Sequence, residues 1–286
     1  MSEASHMSSI DPRAEASPTP CTACGGHGVR YDPRVEVGRF GQLDICECIA
    51  RHCRCGGRPP YQFWDDDSQR QWCLCHGSRR RLAHVKELFR QADLPSKFRF
   101  KFRHDFQDTA PDGTALVLGR RVRESLAYVT ALLDDDRELE RGYLLLGKPG
   151  TGKTLLACIM LNELMLRRAR AGRFVNMSRK FFPQLRDTYS QDSERYGQTS
   201  QILELLYNVP YLVLDDFGEQ KSEWQAEMLY DLVDARYGEE NFTIVTTNMS
   251  RSEMEESGGR VFSRLVEMCF LVDMHGQDYR QFLLSQ

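Results

Sequence analysis

The run Gly147-Lys148-Pro149-Gly150-Thr151-Gly152-Lys153-Thr154 carries the most specific chemical signal in the chain, a full match to G-x-x-x-x-G-K-[ST]. Gly147, Gly150 and Gly152, with Pro149 and Thr151 between them, permit a loop whose backbone N–H groups turn inward at a helix N-terminus, where phosphate oxygens are attracted. The Lys153 ammonium can reach β and γ oxygens, and the Thr154 hydroxyl suits a Mg2+ shell. Further along, Tyr211-Leu212-Val213-Leu214 runs into Asp215 and Asp216. Two carboxylates at the end of an apolar strand suit phosphoryl chemistry, Asp215 in the Mg2+ shell and Asp216 polarising an attacking water. That strand is expected to lie beside the one that enters the phosphate loop. A third apolar run, Phe242 to Thr247, ends in Asn248, which could orient the same water or simply close a turn.

Arg260 and Arg264 are four residues apart and share a face if helical. One or both could reach the γ-phosphate of an adjacent subunit and stabilise transition-state charge, or both could be solvated surface groups.

A second kind of chemistry is written in the cysteines. Eight of ten lie between positions 21 and 75, as Cys21/Cys24 in C-x-x-C and Cys46/Cys48, Cys53/Cys55 and Cys73/Cys75 in C-x-C. Close pairs suit a tetrahedral ion, and in a reducing compartment zinc is the better reading than disulfides. Taken in order, the first two pairs close one four-thiolate site and the last two another, across loops of 21 and 17 residues. Crossed pairing and a single zinc remain open, and His27, His52 or His76 could replace a thiol. Nothing suggests an open, catalytic coordination position; the metal is expected to hold together a segment too small to fold by burial. Cys158 and Cys269 sit apart, in apolar segments that read as core.

The elements that must carry these groups follow from pattern. Tyr143 to Leu146 is a short apolar run suited to a buried strand, and Leu155, Leu156, Ile159, Met160 and Leu164 make a helical stripe after the loop. Met268 to Asp273 reads as a further strand. Leu82, Val85, Leu88, Phe89 and Ala92 form another helical stripe, ended by Pro95. Lys97 to Arg103 alternates strictly between cations and phenylalanines, so it is expected to be a strand with its aromatic face buried and its cations either solvated or facing nucleic acid. From Arg79 to His104 nine Lys and Arg face two acids, a local basic excess in a chain whose net charge is only -3. Residues 1–20, rich in Ser, Pro and Ala, read as a flexible tail. The expected organisation is tail 1–20, zinc-binding unit 21–78, basic connector 79–104 and nucleotide domain 105–286. No run approaches the length of a membrane span and the start lacks a secretory pattern, so a cytoplasmic protein without a membrane partner is expected.

The ordered set of phosphate loop, Leu-Val-Leu-Asp-Asp-Phe-Gly strand, Thr-Thr-Asn strand and Arg-Val-Phe-Ser-Arg-Leu-Val-Glu-Met-Cys segment resembles the AAA+ ATPases of the DnaC/IstB family, bacterial helicase loaders and transposition helpers. The resemblance covers roughly residues 79–286, including Ala92 to Phe98 and Gly276 to Arg280. It implies a doubly wound α/β P-loop domain of initiator type, with a parallel sheet and no helical lid after Arg280. It further implies ATP as ligand, with Lys153 and Thr154 as Walker A, Asp215 and Asp216 as Walker B, Asn248 as sensor 1, and Arg264 as arginine finger with Arg260 beside it. The helical stretch Ser178 to Tyr207 then sits where initiator-type relatives line a single-stranded DNA channel, which marks Arg179 and Lys180. Asp216 stands where many such proteins have the longer Glu, implying slow or switch-like hydrolysis. The cysteine-rich segment resembles the helicase-docking domains of some loaders only loosely.

The implied function is ATP-dependent loading of a replicative, DnaB-type hexameric helicase onto single-stranded DNA, with self-association through AAA+ interfaces. The rivals are an IstB-like transposition helper and a zinc-dependent adaptor for which nucleotide is only a conformational ligand.

Overall fold

The computed structural model describes residues 21–37, 40–106, 127, 139–218 and 222–274. The expected tail 1–20 and the segment Gly276 to Arg280 lie outside the described residues. The chain divides into two compact units, residues 1–86 and 87–286.

In the first unit, β1 (Val29–Val37) and β2 (Phe40–Ile45) form an antiparallel hairpin with Val29 opposite Ile45. The hairpin doubles the chain back, so the 21 residues between Cys24 and Cys46 end where they began. After the single turn α1 (Glu47–Ala50), a second hairpin of β3 (Gln62–Trp64) and β4 (Arg70–Trp72) repeats the device between Cys55 and Cys73. Helix α2 (Cys75–Gln91) spans the division and starts on the last thiol of the series. Its stripe is as expected: Leu82, Val85, Leu88 and Phe89 are buried, as is Ala92 beyond its end.

The cation–phenylalanine alternation is not a strand. Pro95 seeds consecutive turns, in which the Phe98 and Arg99 N–H groups donate to the Pro95 carbonyl at 2.8 and 3.0 Å, and Phe100 takes a left-handed φ of 65°. The turn carbonyls of Phe98 and Lys101 are claimed by the side-chain amide of buried Asn162, at 2.9 and 2.7 Å. With its backbone groups satisfied this way, the segment needs no partner strand. Phe102 is buried and Phe100 stacks on Phe89 at 5.2 Å, so the aromatic face is nevertheless turned inward.

The second unit is built on five parallel strands in the order β6-β7-β8-β5-β9: β5 (Gly142–Leu146), β6 (Gly172–Asn176), β7 (Tyr211–Phe217), β8 (Phe242–Thr247) and β9 (Cys269–Asp273). Every residue of β5 and β8 is buried, the pattern of a parallel sheet covered on both faces. The connections are α3 (Lys153–Arg168), α4 (Phe182–Asp187), α5 (Thr199–Asn208), α6 (Glu223–Gly238) and α7 (Arg251–Met268). Cys158 and Cys269 are fully buried, as expected of core residues.

One topological expectation is corrected. β7, which carries the paired carboxylates, does not neighbour the phosphate-loop strand β5; β8 pairs with both and lies between them. An apolar run with a carboxylate end marks a buried strand but holds no information about which strand it pairs with. The Ser178 to Tyr207 stretch is likewise not one helix: a π-helical turn (Met177–Phe181) runs directly into α4, and turns then separate α4 from α5. No helix among the described residues is long and apolar enough to cross a membrane.

Candidate functional site

In an open parallel sheet, ligands bind beyond the carboxyl ends of the strands. Four such ends carry the residues that matter here: Gly147 after β5, Asp215 and Asp216 at the end of β7, Asn248 after β8 and Asn176 closing β6. The loop after β5 needs glycine. Gly147 has φ 142°, and a Cβ there would meet the Met274 carbonyl at 2.4 Å; Gly150 and Gly152 have φ of 84° and 90°. Gly152 caps α3, whose first two residues are Lys153 and Thr154. The Lys153 ammonium bends over the loop and donates to the Gly147 and Lys148 carbonyls at 2.6 and 2.8 Å, and Thr151 Oγ1 donates to the Lys148 carbonyl at 3.0 Å. Pro149 lies at the turn of the same loop.

The carboxylates owe their position to a β-bulge. Leu214 pairs with Val245, and the next pair is Phe217 with Thr247, so Asp215 and Asp216 together face the single residue Thr246. Asp216 takes up the extra residue in a left-handed conformation, φ 57°, which Asp tolerates better than most residues. Thr246 Oγ1 locks the bulge by accepting the Asp216 N–H at 3.1 Å and donating to Asp215 Oδ1 at 2.8 Å. The bulge breaks the alternation of the strand, so adjacent carboxylates keep separate sets of partners.

Asp215 is buried and receives Thr154 Oγ1 at 2.7 Å on Oδ1 and Asn176 Nδ2 at 3.0 Å on Oδ2. Asp216 is half-buried and receives Ser178 Oγ at 2.8 Å and Asn248 Nδ2 at 3.3 Å. The geometry therefore brings Lys153, Thr154, Asp215, Asp216 and Asn248 to one rim of the sheet. The Thr154 hydroxyl against a buried carboxylate is a donor set that fits Mg2+, a hard cation that favours oxygen ligands.

Sequence reasoning missed Asn176, Ser178 and Thr246. Asn176 had a readable signal, since Arg173-Phe174-Val175-Asn176 ends in an amide as Phe242 to Asn248 does. Asn176 Oδ1 also accepts the Arg179 N–H at 2.9 Å, within the π-helical turn. Arg179 is exposed on that turn, whereas Lys180 pairs with Asp93 at 3.0 Å. Arg264 is held on α6 of its own chain, donating to Asp234 Oδ1 at 2.9 Å and lying 4.3 Å from the centroid of Tyr237. Arg260 is exposed, and Gly259 breaks the helical path of α7 immediately before it.

In the first unit the thiols assemble as Cys21, Cys24, Cys46 and Cys48, and as Cys53, Cys55, Cys73 and Cys75; neither group includes a histidine. Sγ–Sγ separations are 3.7 and 3.8 Å in the first group and run from 3.4 to 3.9 Å in the second. Four thiolates around one ion with bonds of ~2.3 Å would sit ~3.8 Å apart, so both groups could hold zinc. Backbone N–H groups of Gly28 and Arg54 donate to Cys24 and Cys73 Sγ, each at 3.3 Å. The thiols do not ionise alike without a cation. The Ala23 backbone N–H brings the Cys21 pKa down to about 7, while burial, opposed by Arg79 and helped by the neighbouring thiols, pushes that of Cys75 up to about 12. A bound dication removes that conflict by making thiolates of them all.

Residues 79–283 match a family model described as IstB-like ATP binding protein. The replicative helicase loader DnaC of Escherichia coli strain K12 is 31% identical over 125 residues, 43% of this chain and 49% of that protein. The alignment thus spans about half the length of the curated relatives. A crystal structure of the DnaC helicase loader superposes with a TM-score of 0.50 at 23% identity, over 63% of this chain and 100% of that one. A putative primosome component from Streptococcus pyogenes serotype M3 gives 0.51 at 22% identity, over 68% and 96%. AMPPCP-bound DnaA from Aquifex aeolicus gives 0.50 at 18% identity, over 68% and 55%. These structural likenesses, all below 25% identity, establish a shared fold. With a family match over well more than half of its length and a P-loop rim of the matching kind, the chain belongs to the IstB-like ATP-binding proteins, the DnaC/IstB family of AAA+ ATPases.

Proposed function

We propose that this protein is an ATPase that loads a replicative, DnaB-type hexameric helicase onto single-stranded DNA in the cytoplasm. The observation that carries the reading is the convergence of Lys153, Thr154, Asp215, Asp216 and Asn248 on one rim, in a chain with 31% identity to a helicase loader over 125 residues. Lys153 leaves the loop carbonyls to neutralise β and γ phosphate oxygens. Thr154 and Asp215 would hold Mg2+, which would supply further neutralisation of phosphate charge. Asp216 accepts the proton side of the attacking water, and Asn248, already bonded to that carboxylate, fixes the direction of attack. Arg264, with Arg260 beside it, acts across an interface on the γ-phosphate of a neighbouring subunit, and Arg179 and Lys180 contact the DNA backbone.

The two four-thiolate groups each hold a structural zinc, and residues 21–78 grip the helicase. The basic connector 79–104 joins this grip to the nucleotide domain that follows.

Complementation between subunits tests the assembly. A Lys153→Ala subunit loses ATP but offers its arginine; an Arg264→Ala subunit binds ATP but lacks the finger. Each alone is inactive, and mixtures regain DNA-stimulated hydrolysis if Arg264 works across the interface. Absence of recovery in co-assembled mixtures confines Arg264 to its own chain, consistent with its Asp234 bond.

A second reading, a transposition helper, is favoured by the family model itself, whose description is IstB-like. Helicase capture in a pulldown with the full chain supports the loader; ATP-dependent filaments on duplex DNA support the helper.

A further inference from the structure

Among the described residues the most exposed large apolar side chain is Trp64, at 67%; Tyr189 and Tyr196 come next, ahead of Trp72 at 53%, so the exposed tryptophans are Trp64 and Trp72. Both sit on the β3–β4 hairpin. In its register Trp64 faces Arg70 and Gln62 faces Trp72, and directly opposed residues share a face, as do residues two apart. Gln62, Trp64, Arg70 and Trp72 therefore form one face of the ribbon. The two residues are diagonal neighbours, ~7–8 Å apart. That is about the length of two nucleotides in a stacked strand, at ~3.4 Å each.

The surroundings of the rings are cationic. The Arg70 guanidinium lies 5.4 Å from the centroid of Trp64, while Arg54 lies 5.2 Å from that of Phe63, which points to the other face of the ribbon. His76 stacks on Trp72 at 4.2 Å and stiffens it. From Arg51 to Arg81 there are seven arginines and three aspartates, an excess of four. A zinc held by four thiolates carries a charge of -2, which leaves an excess of two. The aspartates are consecutive at the hairpin turn, and Asp65 is occupied by the Gln69 N–H and the Gln71 side chain at 2.7 and 3.0 Å. Two exposed rings with an arginine on the same face, in a segment with an excess of arginine, suit bases and phosphates.

We propose that the Trp64–Arg70–Trp72 face of this hairpin is a stacking platform for single-stranded nucleic acid. It is separate from the DNA contacts proposed at Arg179 and Lys180 and does not depend on ATP. Trp64 and Trp72 each carry a base, and Arg70 lies between them to meet a phosphate. The pairing is sequence-tolerant, because every base offers a π face.

The chain has three tryptophans, so full-length Trp224→Phe leaves only the hairpin rings as fluorescence reporters. Titration of that variant with a dT oligomer, without nucleotide, should quench its emission. Trp64→Ala and Trp72→Ala in the otherwise native chain should each weaken oligomer binding roughly tenfold or more. Arg70→Gln should lower the salt dependence by about one released counterion. Metal content equal to that of the parent shows that the variants fold. Unquenched emission at saturating dT overturns the proposal, as does unchanged affinity in both ring variants. If the ring variants lose capture of a helicase hexamer yet keep oligomer binding, the face is a protein surface and the proposal fails.

Discussion

The thiolate unit and the nucleotide unit differ in what holds them. Before α2, the buried apolar side chains of the first unit other than cysteine are Val29, Leu43 and Ile45 among the described residues, too few to offset the ordering of its hairpins. The second unit buries a continuous cluster from Leu144 on β5 to Leu265 on α7. On the proposed reading, one region would take its folding free energy from zinc held on eight sulfur atoms, the other from packing. The sites differ in the same way. Each thiolate group is made by local hairpin closure of two nearby pairs, whereas the nucleotide rim needs four strand ends that only the finished sheet brings together.

Metal removal gives the largest expected effect. Structural zinc contributes about 10–16 kcal/mol in small thiolate domains. Chelation, or Cys46→Ser with Cys48→Ser, should open the first unit to protease while the nucleotide unit stays resistant. Two zinc ions per chain are expected by metal analysis. A resistant N-terminal fragment from metal-free protein would erase the distinction between the units.

The opposite side of the comparison is tested at Arg236. This fully buried side chain donates to the carbonyls of Leu206, Val209 and Phe242 at 2.7 to 2.9 Å and to Thr243 Oγ1 at 2.8 Å. It thereby ties the C-terminus of α5 and the start of β8 to α6. Arg236→Met should leave those carbonyls without their donor, at a cost of about 3 kcal/mol or more. For a unit of this size that lowers Tm by roughly 6–12 °C, with zinc content unchanged. A Tm within a degree of the parent would mean that water or neighbouring groups replace every bond.

How much of this could be read in advance follows the same division. The phosphate loop and both thiolate groups were legible because each is encoded by spacing within a turn or between close pairs. The stripe of α2 was legible because helical periodicity is local. The strand order was not, since β8 enters between β5 and β7 through pairing that no short window contains. The Lys97 to Arg103 alternation misled for a similar reason: Asn162, some sixty residues away, takes up its carbonyls. The bulge at Asp215 and Asp216 is visible only in the register with β8. Arg236 gave no signal at all, because a buried arginine satisfied by carbonyls has no acidic partner to look for.

The smallest effect expected is at Ser178, which joins the π-helical turn to Asp216 by a 2.8 Å bond. Ser178→Ala should slow hydrolysis about tenfold, in line with one hydrogen bond to a carboxylate, and leave ATP affinity alone. Ser178→Thr should restore most of the rate. An unaltered rate in Ser178→Ala would show that Asn248 alone holds the carboxylate.

Steady-state phosphate release tests most directly whether the rim is a working ATPase. The full chain and its Asp216→Asn variant are compared with Mg-ATP, with and without single-stranded DNA, alongside ATP binding. The account predicts turnover by the parent that DNA raises, and a variant that binds ATP nearly as well but releases phosphate about a hundredfold more slowly. Equal release by the two proteins, or none from the parent with DNA present, would contradict it and leave ATP as a conformational ligand.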